Sequence, residues 1–272
     1  MKISLLISTY NWPEALARVL ESVAVQTRLP DEVIVADDGS GEATRELIAR
    51  VQKTFPCPLV HVWHEDKGFR LAAIRNRAIK HASGDYVIQI DGDCIADKFF
   101  IADHEAAAES GAFCSGSRIL CDAKLSQKII SSEKKISELG FFTCGIENRL
   151  NALRIPALTR FFKSRYKANK PWLVKGCNMA FWRSDLLRVN GYNEAISGWG
   201  REDSELAIRL SKLGLKRFYL KFGARLFHLF HEENDRSRDA ENLRILAAAR
   251  ESKEFFTPDG IVKNAEERSA QK

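Results

Sequence analysis

Asp91-Gly92-Asp93 sets two carboxylates one residue apart at the end of an apolar run. The glycine between them lets the backbone turn so that both acids face one edge. Hard divalent cations such as Mg²⁺ and Mn²⁺ take oxygen ligands, and an ion held by one or two carboxylates keeps positions free for phosphate oxygens. A second pair, Asp37-Asp38, ends an earlier apolar run. It reads either as a plain Asp-Gly turn with Gly39 or as a carboxylate placed to accept hydrogen bonds from a base or sugar. A third pair, Glu202-Asp203, follows Gly198-Trp199-Gly200. A carboxylate there suits a base that takes a hydroxyl proton, although acids at a helix amino end are also favoured by the helix dipole alone. His228 and His231 are nitrogen donors three residues apart. A regular strand would send them to opposite faces, so both reach one ion only if the chain bends there. His61 and His64 share that spacing on an earlier strand without a supporting motif, and read as structural.

These residues need a scaffold, and the first third of the chain alternates strand and helix. Ile3 to Ile7 is a nearly continuous apolar run, as expected of a strand buried on both faces, and Glu32 to Ala36, Leu59 to Trp63 and Tyr86 to Ile90 read as the second, third and fourth strands. Between them lie helical stretches: one from Asn11, which can cap it, with Pro13 in its first turn, then 42–54 and 72–81. The interleaving predicts a mainly parallel sheet with right-handed crossovers. Ligands sit at the carboxyl ends of such strands, where Thr9-Tyr10-Asn11, Asp37-Asp38 and Asp91-Gly92-Asp93 should converge. Residues 121–172 read as helical and loop-like. Order resumes at 174–181, followed by a helix at 204–213, a strand at 217–229 and a polar helix at about 238–254, with a frayed tail. The 272 residues hold 45% apolar and 29% charged side chains, which excludes disordered, collagen-like and coiled-coil classes. There is room for a sizeable core.

Leu6-Ile7-Ser8-Thr9-Tyr10-Asn11, Val33 to Ser40 and Ile88 to Asp93 together resemble a family-2 glycosyltransferase of the GT-A fold. Gly198 to Glu205 is similar to the Gly-Trp-Gly-x-Glu-Asp motif of β-1,4-galactosyltransferases and bacterial chondroitin-type polymerases. The resemblance covers about 1–93 and 174–235. It implies an α/β GT-A fold: a single mixed, mainly parallel sheet flanked by helices, with a Rossmann-like nucleotide-binding half and an acceptor-binding half. The corresponding division is 1–120 for the nucleotide-sugar half, 121–172 for a basic helical insertion, 173–235 for the acceptor and catalytic half, and 236–272 for a C-terminal helix and tail. It also implies a metal-dependent inverting transfer from a nucleotide-sugar donor, UDP-linked, to a glycan or glycolipid acceptor of a bacterial surface polysaccharide or lipopolysaccharide. Thr9, Tyr10, Asp38, Arg75, Asp91, Gly92 and Asn178 would then line the nucleotide-sugar site, with Arg70 competing for the role of Arg75. Asp93 and His231, with His228 at the family's Met position, would hold Mn²⁺ or Mg²⁺. Asp203 would be the base, and Glu202, Trp199 and Gly198 would meet the acceptor. The family's third acidic position is Ser204 here. A nucleotidyltransferase making nucleotide sugars and a carbohydrate-binding protein without catalysis are the alternatives.

The net charge of +6 is uneven: between Asp122 and Lys170 eleven Lys or Arg face four acids, a surplus of seven. Such a segment predicts peripheral contact with an anionic membrane or a phosphorylated substrate, or else a solvated helical face. Nucleic acid is not an expected partner. Six scattered cysteines without a C-x-x-C pair, and no leader or spanning segment, predict reduced thiols in the cytoplasm or on the inner face of its membrane.

Overall fold

A computed structural model describes residues 1–232 and 235–263. The tail beyond 263, expected to be frayed, lies outside the described residues. In chain order the first elements are β1 (Ile3–Thr9), α1 (Pro13–Ala24), β2 (Glu32–Asp37), α2 (Glu42–Gln52), β3 (Leu59–Trp63), α3 (Leu71–His81) and β4 (Tyr86–Asp91). They follow the predicted alternation closely. Side chains alternate across each strand: Ile3, Leu5 and Ile7 face α1 and α2, while Leu6 packs with Ile34 and Ala36 on the α3 side. Both faces are therefore covered, which explains the unbroken apolar runs. Asn11 does not cap α1. Trp12 holds the cap position without a side-chain bond, and the Asn11 carboxamide oxygen instead accepts the Gly41 N–H at 2.9 Å.

Next come β5 (Cys94–Ala96), α4 (Phe100–Ala107), β6 (Ala112–Gly116), β7 (Ile119–Cys121), α5 (Ala123–Ile130), β8 (Ile146–Glu147) and α6 (Pro156–Phe162). The chain continues through β9 (Met179–Trp182), α7 (Arg183–Arg188), α8 (Glu202–Lys212), β10 (Lys216–Leu220), β11 (Leu226–His228) and α9 (Asp239–Glu251). The main sheet has seven strands in the order β10-β6-β9-β4-β1-β2-β3. It is parallel except at β9, which runs antiparallel to both β4 and β6.

A second, four-stranded sheet, β5-β11-β7-β8, stands beside it. The sequence shows no sign of it, because three of its strands have three residues and one has two, too short for a period to appear. The single strand expected over 217–229 is split accordingly. Left-handed backbone at Phe222 and Ala224 turns the chain between β10 in the large sheet and β11 in the small one.

The basic tract is divided by the fold. Arg154 forks onto Asp103 of α4, and Lys163 pairs with Glu109, so part of the charge binds the segment to the domain. Among the described residues no helix is long and apolar enough to cross a membrane.

Candidate active site

The site is assembled where the strands end. Register places Thr9 beside Asp37 and Ser8 beside Asp91, so β1, β2 and β4 stop at one level. Backbone bonds tie their next residues together: Asp38 N–H to the Thr9 carbonyl at 3.0 Å and Gly92 N–H to the Ser8 carbonyl at 2.6 Å. A Cβ at Gly92 would come within 2.9 Å of that carbonyl, so the approach needs glycine. Above this edge opens a cavity of about 750 Å³. Thr9, Tyr10, Asp38, Arg75, Asp91, Gly92 and Asp93 line one part of it, and Trp199, Glu202, Asp203, His228 and His231 line another.

The two acids at the end of β2 have separate tasks. Asp37 is fully buried, accepts the Ser40 N–H at 2.8 Å and meets His61 Nε2 at 2.8 Å. Burial pushes its pKa up, but those bonds outweigh burial and lower it. It is the turn residue. Asp38 reaches the cavity, held by His64 Nε2 at 2.5 Å and by the Arg70 N–H at 2.8 Å. Burial raises its pKa in spite of both partners. His61 and His64 therefore orient the acid pair. The H-x-x-H spacing was the only trace of this in the sequence, and the residues they hold lie on another strand.

Arg75 is the pivot of the floor. Its guanidinium is 1% exposed and donates to Asp91 at 2.9 Å, Glu202 at 3.0 Å and Ser8 Oγ at 3.2 Å. It also lies 5.4 Å over the ring of Tyr192, a residue that no sequence signal singled out. Arg70 is excluded from the cavity wall, because its side chain turns back to the Glu65 carbonyl. Burial pushes the Asp91 carboxyl above its usual range, and the Arg75 charge only partly offsets this.

Gly198, Gly200 and Arg201 all have positive φ, at 74°, 92° and 82°. This left-handed run suits the glycines and is strained at Arg201. It delivers Glu202 and Asp203 into the first turn of α8, so they are helix-end acids and cavity residues at once. Glu202 is nearly buried. Desolvation, reinforced by Asp203, pushes its pKa up to about 7 against the pull of Arg75. Asp203 is more open, with one oxygen accepting the Gly176 N–H at 2.8 Å and the other its own helix's Ser204 N–H at 2.6 Å.

Two expected site residues lie elsewhere. Asn178 is fully buried and does not line the cavity. Its amide donates to the Ser117 and Ala224 carbonyls and its oxygen meets His104, so it locks β9 to the turns around it. Gly198 packs against Arg238 and donates its N–H to the Phe69 carbonyl at 2.9 Å, which makes it a loop residue rather than a contact surface.

The small sheet builds the third group. His228 on β11 sits opposite Cys94 on β5, and Leu229 N–H bonds the Asp93 carbonyl at 2.9 Å. The chain leaves the sheet at His228, which supplies the required bend and brings the two imidazoles to 5.2 Å. Asp93, His228 and His231 place donor atoms within 4.8 Å of one another. His228 Nδ1 faces the Leu229 carbonyl at 2.9 Å and His231 Nδ1 the Glu232 carbonyl at 2.6 Å. A carbonyl can only accept, so each Nδ1 carries its proton, and in the neutral ring Nε2 is left as a lone pair. Both Nε2 atoms point at Asp93 Oδ2, at 3.7 and 3.4 Å. Three acceptors facing one point fit a divalent cation, with the carbonyls fixing the tautomers.

Residues 4–187 match the family described as glycosyl transferase family 2, and residues 158–232 match the one described as the N-terminal domain of galactosyltransferase. The chain is 29% identical over 221 residues to validoxylamine A glucosyltransferase of Streptomyces hygroscopicus subsp. limoneus, covering 78% of this chain and 48% of that protein. It is 29% identical over 225 residues to the chondroitin synthase of Escherichia coli, covering 78% of this chain and 32% of the relative. It thus spans about half or less of these relatives' length. Among solved structures, S. aureus TarS 1–349 superposes with a TM-score of 0.62 at 16% identity, over 92% of this chain and 65% of that one. The Pyrobaculum calidifontis mannosyltransferase PcManGT, in complex with GDP-Man and Mn²⁺, gives 0.60 at 20% identity, over 91% and 63%. These likenesses show a shared GT-A architecture, and with well over half of its residues inside the family match, the chain belongs to glycosyl transferase family 2.

Proposed function

We propose that the protein is a metal-dependent inverting glycosyltransferase that moves a sugar from a UDP-linked donor to a hydroxyl of a cell-surface glycan. The observation that carries this is the meeting of the Asp93–His228–His231 cluster and the Glu202-Asp203 pair in one cavity at the strand ends. The relatives named above include a glucosyltransferase, and TarS has been solved with UDP and with UDP-GlcNAc.

Asp38, Thr9 and Tyr10 line the end of the cavity suited to the nucleoside, with Asp38 held in place by His64. A Mn²⁺ or Mg²⁺ ion at Asp93, His228 and His231 would neutralise charge on the departing diphosphate. Asp203 takes the proton of the acceptor hydroxyl as its oxygen bonds to the anomeric carbon and the bond from that carbon to the phosphate oxygen breaks. The donors from Gly176 and Ser204 fix the orientation of Asp203. Glu202, tied to Arg75, helps to bind the acceptor, and Trp199, half-buried in the cavity wall, offers its ring to a sugar.

Incubation with a panel of UDP- and GDP-sugars and Mn²⁺, followed by chromatography of the nucleotides, tests the reading. Slow release of UDP from at least one UDP-sugar, stopped by chelation, is expected. Release only from GDP-sugars would overturn the donor assignment, and turnover indifferent to chelation would overturn the metal.

A further inference from the structure

A second cavity, about 660 Å³, adjoins the first and shares Asp122 with it. Asp122 caps α5 by accepting the Leu125 N–H at 2.7 Å, so the start of α5 forms the partition between the two. Lys124 and Lys128 stand four residues apart on that helix, on one face, and both line the second cavity. Each is exposed and, unlike Lys134 with its Glu138 partner, makes no ion pair among the described residues. Phe141 and Phe142 line the same hollow, their rings edge to face at 5.2 Å. Phe142 is 90% exposed, and no packing in the fold accounts for a phenyl ring held out in water. Arg149 anchors the segment by donating to the Phe141 carbonyl.

Unpaired ammonium groups beside an open aromatic face suit a sugar that carries negative charge. The lysines meet a carboxylate or phosphate, and the electron-rich ring face meets the C–H face of a pyranose. The volume falls within the range of roughly 300–1,000 Å³ of small-molecule sites.

We propose that this cavity is a distal subsite for an anionic oligosaccharide acceptor, whose carboxylate or phosphate pairs with Lys124 and Lys128 and whose ring stacks on Phe142. The inference rests on the glycosyltransferase reading above and adds the charge class of the acceptor.

Calorimetric titration of the full chain, with and without UDP and Mn²⁺, is the test. The probes are tetragalacturonate for carboxylate, a phosphorylated mannose pentasaccharide for phosphate, and neutral maltotetraose. At least one anionic probe should bind about tenfold more tightly than maltotetraose, and which one binds distinguishes the two charge sources. The double substitution Lys124→Ala, Lys128→Ala should weaken that binding about tenfold and flatten its salt dependence. Phe142→Ala should weaken it several-fold. Both variants change only exposed side chains and should keep the UDP affinity and melting temperature of the parent. Anionic probes binding no better than maltotetraose, or binding unchanged in the double variant, overturn the inference, while intact UDP binding leaves the glycosyltransferase reading standing. Absence of UDP binding overturns that reading instead. Phosphatidylglycerol vesicles serve as the last probe: lysine-dependent vesicle binding without saccharide binding assigns the surface to a membrane and overturns the proposal.

Discussion

Asp203 and Glu202 are adjacent in sequence yet meet different surroundings. Asp203 faces the cavity with backbone donors on each oxygen, whereas Glu202 lies beneath, against the guanidinium of Arg75. If Asp203 is the base proposed above, Asp203→Asn keeps the shape and removes it, so kcat should fall roughly 10²–10⁴-fold with UDP affinity unchanged. Glu202→Gln should mainly raise the acceptor KM. Steady-state kinetics on both, with melts as a folding control, separates the roles, and near-full kcat in Asp203→Asn would move the base elsewhere. Glu202 also marks stability against pH. Its pKa rises from an ordinary 4.5 in the unfolded chain to about 7 in the fold, so between those values the folded state binds the extra proton. The stability it contributes is complete below about pH 4.5 and is lost as pH rises through about 7. Urea titrations of metal-free, nucleotide-free protein should show that decline, and Glu202→Gln should remove it. An identical pH profile in the variant would assign the slope to other groups.

At the scale of elements, the Gly-Trp-Gly loop is clasped from outside the expected catalytic half. Asn242 on α9 is fully buried, and its amide donates to the Ser197 carbonyl at 3.0 Å and the Gly200 carbonyl at 3.2 Å. Arg201 adds a fork onto Asp239 at the start of the same helix. A boundary at 235 would therefore cut that loop from its clamp. The other side of α8 is fixed by Arg209, which pairs with Glu205 and donates to the Val189 and Gly191 carbonyls. Asn242→Ala leaves loop carbonyls without their donor, at a cost of about 1–3 kcal/mol. The melting temperature should drop by several degrees and kcat should fall more than UDP affinity. A stability loss with unchanged kcat would confine Asn242 to a structural role.

For the molecule as a whole, two sheets with different strand directions converge on one cavity. The large sheet carries Asp38 and Asp91 to its edge, and the small sheet sets His228 against Asp93. A ligand that needs both sheets should stabilise the entire fold. With UDP at about 100 times its dissociation constant, Mn²⁺ present, stability should rise by about 2.7 kcal/mol and the melting temperature by roughly 5–10 °C. Asp93→Ala and His231→Ala should abolish the part of this shift that depends on Mn²⁺. An Asp93→Ala protein with the full Mn²⁺-dependent shift would remove Asp93 from the metal site.

The first four strands and their helices were legible because β1, β2 and β4 are buried on both faces, a condition written locally as Leu5-Leu6-Ile7 or Val33-Ile34-Val35. The carboxylates at their ends were legible for the same reason: a polar pair that stops an apolar run marks a strand's carboxyl end. Asn178 misled, because a buried amide that satisfies backbone turns and one that binds a ligand look alike in sequence. The small sheet was silent, and with it the bend that lets His228 and His231 approach Asp93. Its strands are too short for periodicity and are specified by partners distant in the chain, as His228 is by Cys94. The sequence by itself determined the strand–helix alternation of β1 to β4 and the carboxylates that end it, since strand burial and strand ends are local patterns. Only the tertiary structure decided that His64 holds Asp38, that Arg75 joins Asp91 to Glu202, and that Asn242 closes the loop, because each is a contact between segments whose separation along the chain carries no signal.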